Sequence, residues 1–101
     1  MSVPEELVAD RLKAFPEVER IVLFGSRARG DAAPRSDIDL AIECPGADAR
    51  RWSQIVETAE NTATLLQIDL IRMDTAPSEL LTQIASEGRV LYERGDGNAK
   101  T

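Results

Sequence analysis

Histidine is absent from this 101-residue sequence, and cysteine occurs once, as Cys44. Without an imidazole, the chain has no internal base for a Ser-His-Asp or Cys-His catalytic unit. A tetrahedral zinc site is nearly excluded, because the soft ligands that zinc favours amount to one thiolate. A disulfide within the chain is also excluded, and a lone thiol is typical of a reduced intracellular setting. The available chemistry is therefore that of carboxylates, hydroxyls, guanidinium groups and hard metal ions.

Positive charge is also scarce, since 12 lysines and arginines stand against 18 aspartates and glutamates, for a net charge of −6. Because phosphate contacts along a nucleic acid need a basic face, we do not expect nucleic acid as the main partner. No apolar run approaches the ~20 residues that span a bilayer, and the acidic N-terminus lacks the apolar core of a signal peptide. We therefore expect a cytoplasmic protein without a membrane partner. One domain is expected over residues 1–93, followed by a flexible polar tail over 94–101.

Helical and strand-like patterns alternate along the chain. Helices are indicated by capping residues and by apolar side chains at helical spacing, and strands by short apolar runs or strict alternation. In chain order, the patterns predict a helix from Ser2 that Pro16 stops, strands at 20–24 and 37–43, a helix that Asp48 caps, a strand at 67–73, a helix at 77–87 and a strand at 89–92. This order favours an α/β (α+β) fold in which helices cover at least one face of a sheet.

The first predicted strand ends at Gly25-Ser26, where the chain enters a short helical turn. Such a turn collects backbone N–H groups and a hydroxyl at one point, which suits phosphate oxygens, and Gly25 lets the backbone approach closely. The run from Gly25 to Gly30 has the spacing of a P-loop, but Asp31 follows where a P-loop requires lysine. An acid there would repel phosphate, so we reject the P-loop and expect a different phosphate-binding turn.

Asp37 and Asp39 are one residue apart on a predicted strand, so their carboxylates project from the same face, about 6–7 Å apart. At an effective dielectric near 20, two such charges repel by roughly 2–3 kcal/mol. Solvent at a sheet edge would offset this repulsion, but a divalent cation would do so better, and oxygen ligands suit Mg²⁺. Asp69 lies in another predicted strand, and its carboxylate joins the pair if the two strands are neighbours. Three carboxylates beside a phosphate-binding turn describe a two-metal phosphoryl-transfer site.

The other polar residues of this stretch allow two interpretations. Arg27 and Arg29 either steer the phosphates of a nucleotide or its acceptor, or they are solvated surface residues. Ser36 either contributes to nucleotide binding or caps the loop by bonding to nearby backbone. Cys44 has no evident activating neighbour and is interpreted as a structural residue.

The segment GSRARGDAAPRSDIDLAI contains Gly25-Ser26, ten intervening residues and Asp37-Ile38-Asp39. This spacing resembles the signature of the DNA polymerase beta-like nucleotidyltransferase superfamily. With Asp69 in IDLI and the ending IASEGRVLYE, the sequence is similar to the minimal nucleotidyltransferase (MNT) family. That family supplies the antitoxin half of two-gene modules whose toxin is a HEPN-domain protein. The resemblance covers residues 18–93.

The resemblance implies a single minimal nucleotidyltransferase domain with a mixed sheet flanked by helices, a nucleoside triphosphate donor, usually ATP, and Mg²⁺ at a two-metal site. It places Gly25 and Ser26 on the triphosphate. It makes Asp37, Asp39 and Asp69 the catalytic metal ligands, with Asp69 also accepting the proton of the attacking hydroxyl. The implied reaction transfers AMP to a hydroxyl of a partner protein, such as a tyrosine of the HEPN toxin, and silences that toxin.

The size of the chain leaves other functions open. Nothing beyond Tyr92 is expected to form the second domain with which larger relatives bind their acceptor, which fits an acceptor carried by another protein or by a second copy of this chain. A non-catalytic antitoxin that occludes its partner is an alternative, since the net charge of −6 suits a basic partner surface. Nucleotidyl transfer to a small molecule is a third reading, and the absence of a second domain counts against it. Exposed strand edges in so small a sheet also allow a homodimer.

Overall fold

A computed structural model describes residues 4–30, 37–62 and 66–94 of the chain. The helices in these ranges are α1 (Pro4–Leu12), α2 (Ser26–Arg29), α3 (Ala49–Thr62) and α4 (Ser78–Glu87), with a 3-10 turn at Met73–Thr75. The strands are β1 (Arg20–Phe24), β2 (Ile38–Glu43), β3 (Ile68–Arg72) and β4 (Arg89–Glu93). Within the described ranges, no helix is long and apolar enough to cross a membrane.

The strands form one four-stranded mixed sheet in the order β3-β2-β1-β4. β1 is antiparallel to both of its neighbours, and β2 is parallel to β3. Parallel neighbours require a crossover connection, and α3 lies in the connection between β2 and β3. The prediction of a mixed sheet flanked by helices is confirmed.

Alternation along the strands divides their side chains between two faces of the sheet. One face carries the larger core, whose helices are α1 and α3 and whose fully buried strand residues are Ile21, Leu23, Ile38, Leu40 and Ile42. The opposite face carries a smaller cluster in which α4 takes part, formed by Val22, Phe24, Ala41 and Ile84. Asp39 alternates with the core residues of β2 and therefore lies on the α4 side.

The first helix ends earlier than the sequence predicts. Pro16 is expected to stop it, but α1 ends at Leu12. Short-range hydrogen bonds follow, from the Ala14 N–H to the Arg11 carbonyl (3.3 Å) and from the Phe15 N–H to the Leu12 carbonyl (3.0 Å). These i to i+3 bonds tighten the last turn and redirect the chain before the proline is reached.

The strand order brings the ends of several helices and strands to the same end of the sheet. Phe24, the last residue of β1, is the register partner of Asp39, which in turn is the partner of Asp69 in β3. β4 begins with Arg89 beside Leu23, so the C-terminus of α4, which immediately precedes β4, reaches the same place. The predicted phosphate-binding turn and the predicted metal ligands therefore meet at this end, on the side of α4.

Candidate active site

The three predicted metal ligands lie together at this end of the sheet. Asp39 and Asp69 are direct partners in the register of the parallel strands β2 and β3, and neighbouring strands lie about 4.8 Å apart. Asp37 is exposed, two residues before Asp39. The condition that the two strands be neighbours is therefore met, and a third carboxylate joins the pair.

The acid cluster carries negative charge that the described residues do not neutralise. Among residues 4–30, 37–62 and 66–94, no hydrogen-bond donor or basic side chain pairs directly with the three carboxylates. The pKa of Asp39 is raised above its ordinary value, first by burial and then by the charges of Asp69 and Asp37. Glu87 adds to this repulsion, and Arg29 opposes it. A cation among these oxygens would relieve the repulsion.

The chemistry of these donors fits magnesium, since Mg²⁺ prefers hard carboxylate oxygens. In the part of the chain that the structure describes, however, no three potential ligands are already grouped to hold a metal ion. Metal binding would require the carboxylates to turn toward a common point. The role of Asp37, Asp39 and Asp69 as metal ligands stays a prediction.

Gly25 lies directly against the acid cluster. Its φ of +78° is in the left-handed region that L side chains rarely adopt. A Cβ atom at this position would also overlap the carboxylate of Asp39, whose Cγ would be only 3.2 Å away. Glycine is therefore needed for two separate reasons, and the second places the predicted phosphate-binding turn in contact with a predicted metal ligand.

Ser26 begins α2 directly after Gly25. The Gly25 carbonyl accepts the N–H groups of Ala28 and Arg29, and the Ser26 carbonyl accepts the N–H of Gly30, each at 3.1 Å. These bonds close a single helical turn. Within the described residues, the Ser26 hydroxyl makes no hydrogen bond. The arrangement leaves that hydroxyl to an oxygen-rich ligand, and phosphate binding by Gly25 and Ser26 stays a prediction that this geometry supports.

The two arginines of α2 have different surroundings. The Arg27 side chain is 11% exposed, and its Nη1 donates to Oε1 of Glu5 in α1 at 3.2 Å. The Arg29 side chain is 46% exposed, and its Nη1 donates to Oε1 of Glu87 in α4 at 3.2 Å. Arg29 therefore lies beside the acid cluster, whereas Arg27 is held against the first helix. Ser36 lies outside the described residues, and nucleotide binding by all three residues stays a prediction.

Sequence reasoning missed Glu87, the last residue of α4. Its carboxylate accepts hydrogen bonds from the Gly25 N–H (3.1 Å), from Arg29 Nη1 (3.2 Å) and from Gln83 Nε2 (3.1 Å). These donors, with Gln83 as the largest contributor, hold the pKa of Glu87 below its ordinary value. A signal was present in the sequence, because a glutamate directly before Gly88 falls in the last helical turn, where the helix dipole disfavours an acid.

Two other features lie outside this cluster. A cavity of about 480 Å³ on the α4 side is lined by residues that include Arg20, Glu43 and Val90, and by none of the three aspartates. Cys44 is fully buried, and burial raises the pKa of its thiol to about 11. Burial and the raised pKa both favour a structural role for this cysteine over a nucleophilic one.

The chain matches a known protein family and a characterised relative. A family model described as polymerase beta nucleotidyltransferase matches residues 6–96. The chain is also 30% identical over 82 residues to the protein adenylyltransferase MntA of Shewanella oneidensis, a match that covers 77% of this chain and 56% of that protein. The chain therefore spans little more than half the length of this curated relative.

Solved structures share the fold. One is a toxin–antitoxin crystal structure with AMP-PNP, with a TM-score of 0.71 and 22% identity over 95% of this chain and 77% of that one. Another is the complex of a tri-AMPylated HEPN toxin of Shewanella oneidensis with its MNT antitoxin, with a TM-score of 0.65 and 22% identity over 93% of this chain and 74% of that one. At these identities, the likeness establishes the architecture of the chain.

Proposed function

Since the chain belongs to the polymerase beta nucleotidyltransferase family, we propose that it transfers AMP from ATP to a hydroxyl group of a partner protein. The observation that carries the proposal is the direct pairing of Asp39 with Asp69, beside the turn formed by Gly25 and Ser26. Carboxylates that could take a cation and a hydroxyl that could take a phosphate thus lie side by side. A nucleotide that binds together with a divalent cation needs both the carboxylates and the hydroxyl.

Asp37, Asp39 and Asp69 would hold Mg²⁺ in this proposal. Their oxygens are the ligands that Mg²⁺ prefers, and the raised pKa of Asp39 reflects first its burial and then a crowding of negative charge that a cation offsets. When bound, Mg²⁺ would neutralise charge on the triphosphate and make the attacking hydroxyl more acidic.

The residues of the chain bind and orient the reactants. Ser26 offers its hydroxyl to a phosphate oxygen, and Arg29 offers positive charge beside the acid cluster. The acceptor oxygen attacks the α-phosphorus of ATP, the bond to the bridging oxygen breaks, and pyrophosphate leaves. Asp69 is exposed near the start of the edge strand β3 and accepts the proton of the attacking hydroxyl.

We propose a HEPN-type toxin as the acceptor, with this chain as its cytoplasmic antitoxin. Support comes from the adenylyltransferase relative and from the fold shared with an MNT antitoxin in complex with an AMPylated HEPN toxin. The exposure of Asp69 on an edge strand leaves room for a hydroxyl that another protein brings to the site.

The test combines the purified chain with labelled ATP, Mg²⁺ and the protein encoded by the adjacent reading frame, which the proposal expects to be a HEPN-type toxin. The wild-type chain should label the toxin, as should Asp10→Asn, a matched control that neutralises an exposed aspartate of α1. Asp39→Asn and Asp69→Asn should abolish labelling. If no label is transferred while Asp39→Asn still silences the toxin, the chain inhibits by occlusion and the catalytic proposal is wrong. A labelled small molecule formed without the toxin would indicate a different acceptor.

A further inference from the structure

The carboxylate of Glu87 joins two parts of the proposed nucleotide site. Its Oε2 accepts the N–H of Gly25 at 3.1 Å, and its Oε1 accepts Nη1 of Arg29 at 3.2 Å. Both donors belong to the turn and short helix that follow β1, the segment that the sequence assigns to the nucleotide. Through this one side chain, α4 reaches the proposed phosphate-binding turn.

Glu87 is itself held in place. Gln83, one turn earlier in α4, donates Nε2 to Oε2 of Glu87 at 3.1 Å. The next residue, Gly88, lies so close to β1 that a Cβ atom there would overlap the side chain of Val22. The end of α4 is therefore seated on the strand that leads into Gly25, and the position of Glu87 relative to that turn is set by packing.

We propose that Glu87 is a positioning residue for nucleotide binding, whose carboxylate holds the Gly25 backbone and the Arg29 guanidinium in the arrangement that receives the triphosphate. The inference rests on the proposed nucleotidyltransferase function. Glu87 acts through its two partners and does not itself contact the reacting atoms.

The Glu87 carboxylate leaves one donor of the turn to a triphosphate. Within the described residues, the hydroxyl of Ser26 makes no hydrogen bond, and it is the next side chain after Gly25. Because three donors and the packing of Gly88 hold Glu87, a phosphate binds more readily beside the carboxylate than in its place.

The test measures the binding of AMP-PNP to the full chain in Mg²⁺ by isothermal titration calorimetry. Glu87→Gln keeps the shape of the side chain but removes its charge and one acceptor oxygen, and should weaken binding about tenfold. Glu79→Gln makes the same change at an exposed glutamate of α4 and should stay within about twofold of wild type. Glu87→Asp keeps the charge but is one methylene shorter, so it should also weaken binding because it does not reach both donors.

A double-mutant cycle tests whether Glu87 acts through Arg29. Adding Glu87→Gln to Arg29→Gln should weaken AMP-PNP binding much less than Glu87→Gln does in the wild-type chain. In the transfer assay, Glu87→Gln should raise KM for ATP more than it lowers kcat. Unfolding temperatures measured alongside separate this pattern from a loss of fold.

Three results would overturn the inference while the proposed function stands. Tighter binding by Glu87→Gln would mean that the carboxylate competes with phosphate, and unchanged binding would mean that it has no role. If Glu87→Gln weakens AMP-PNP binding equally in the wild-type chain and in Arg29→Gln, Glu87 does not act through that arginine. A wild-type chain that neither binds AMP-PNP nor transfers label would refute the proposed function, and the inference with it.

Discussion

Replacing Gly25 by alanine tests the geometry that joins the phosphate-binding turn to the acid cluster. The new methyl group has two costs, because Gly25 has a φ of +78° and because a Cβ atom there would overlap the Asp39 carboxylate. Gly30, at the other end of α2, is a comparison that has a positive φ in the αL region and no overlap. Its φ is +83°, and nothing within the described residues lies within 4 Å of a Cβ atom built on it.

The expected magnitudes follow from this comparison. A left-handed backbone costs an L residue about 1–2 kcal/mol, and alanine recovers about 0.4–1 kcal/mol by restricting the unfolded chain. We therefore expect Gly30→Ala to lower the free energy of unfolding by about 0.5–1 kcal/mol. Gly25→Ala should lose more, because a ψ of −160° places Gly25 in a region that is essentially confined to glycine and costs about 1–3 kcal/mol, and turning the Asp39 carboxylate away adds about 0.5–1.5 kcal/mol.

The assay is urea unfolding of Gly25→Ala, Gly30→Ala and a control, Gly46→Ala, where a Cβ atom meets no described atom within 4 Å. AMP-PNP binding and transfer of label are measured on the same proteins. We expect Gly25→Ala to lose binding and transfer even where it remains folded, because the carboxylate that its methyl group displaces is a predicted metal ligand.

The reasoning would be refuted if Gly25→Ala were no less stable than Gly30→Ala. That result would mean that the turn relaxes away from Asp39 at no cost, so the two parts of the site are not rigidly joined. Full transfer activity in Gly25→Ala would refute the functional half of the argument, whatever the stability.

Three further outcomes follow from the charged and buried groups. Asp39→Asn should raise the free energy of unfolding at pH 7 by up to about 1 kcal/mol. The native pKa of Asp39 lies above the ordinary value of 3.8, so the gain should vanish below pH 3.8, where the carboxyl is protonated in both the folded and the unfolded state. A gain that persists at pH 3 would contradict this prediction. Glu5→Gln breaks a buried ion pair with Arg27, whose side chains are 7% and 11% exposed, and should lower the free energy of urea unfolding by about 2–3 kcal/mol. Asp10→Asn breaks an exposed ion pair and should lower it by less than about 1 kcal/mol. Equal losses in the two variants would contradict the prediction for Glu5. Cys44, fully buried and with its pKa raised to about 11, should react with a thiol reagent at pH 8 only in denaturant, and rapid labelling of the native chain would be the contrary result.

Local patterns along the chain were sufficient to predict most elements and the faces of the central strands. The strand predicted at 37–43 is present as Ile38–Glu43, and its alternate residues Ile38, Leu40 and Ile42 are all fully buried. Asp48 was predicted to cap the second long helix, and its Oδ1 accepts the Arg51 N–H at 2.8 Å. These predictions succeed because strand alternation and helix capping depend on residues within a few positions of one another.

Site residues that lie in one stretch of sequence could be predicted, whereas a site residue contributed by a distant segment could not. Gly25 and Asp39 were singled out from one stretch of sequence, and the structure places them in contact. Glu87 was not singled out, because it is 62 residues from Gly25. The signal in its own sequence neighbourhood, an acid in the last turn of a helix, does not indicate which residues it contacts. From the sequence, Arg27 and Arg29 could not be distinguished. The structure distinguishes them, because Arg27 pairs with an acid of α1 and Arg29 with an acid of α4.

The sequence by itself determined the residue types at the site, the glycine turn and the side of each strand on which the aspartates lie. Only the tertiary structure decided that β3 lies parallel to β2, with Asp69 directly opposite Asp39. Spacing along a strand determines which side chains share a face, whatever the strand's neighbours. Which strands become neighbours, and in which register, depends on burying the apolar faces of all the elements together.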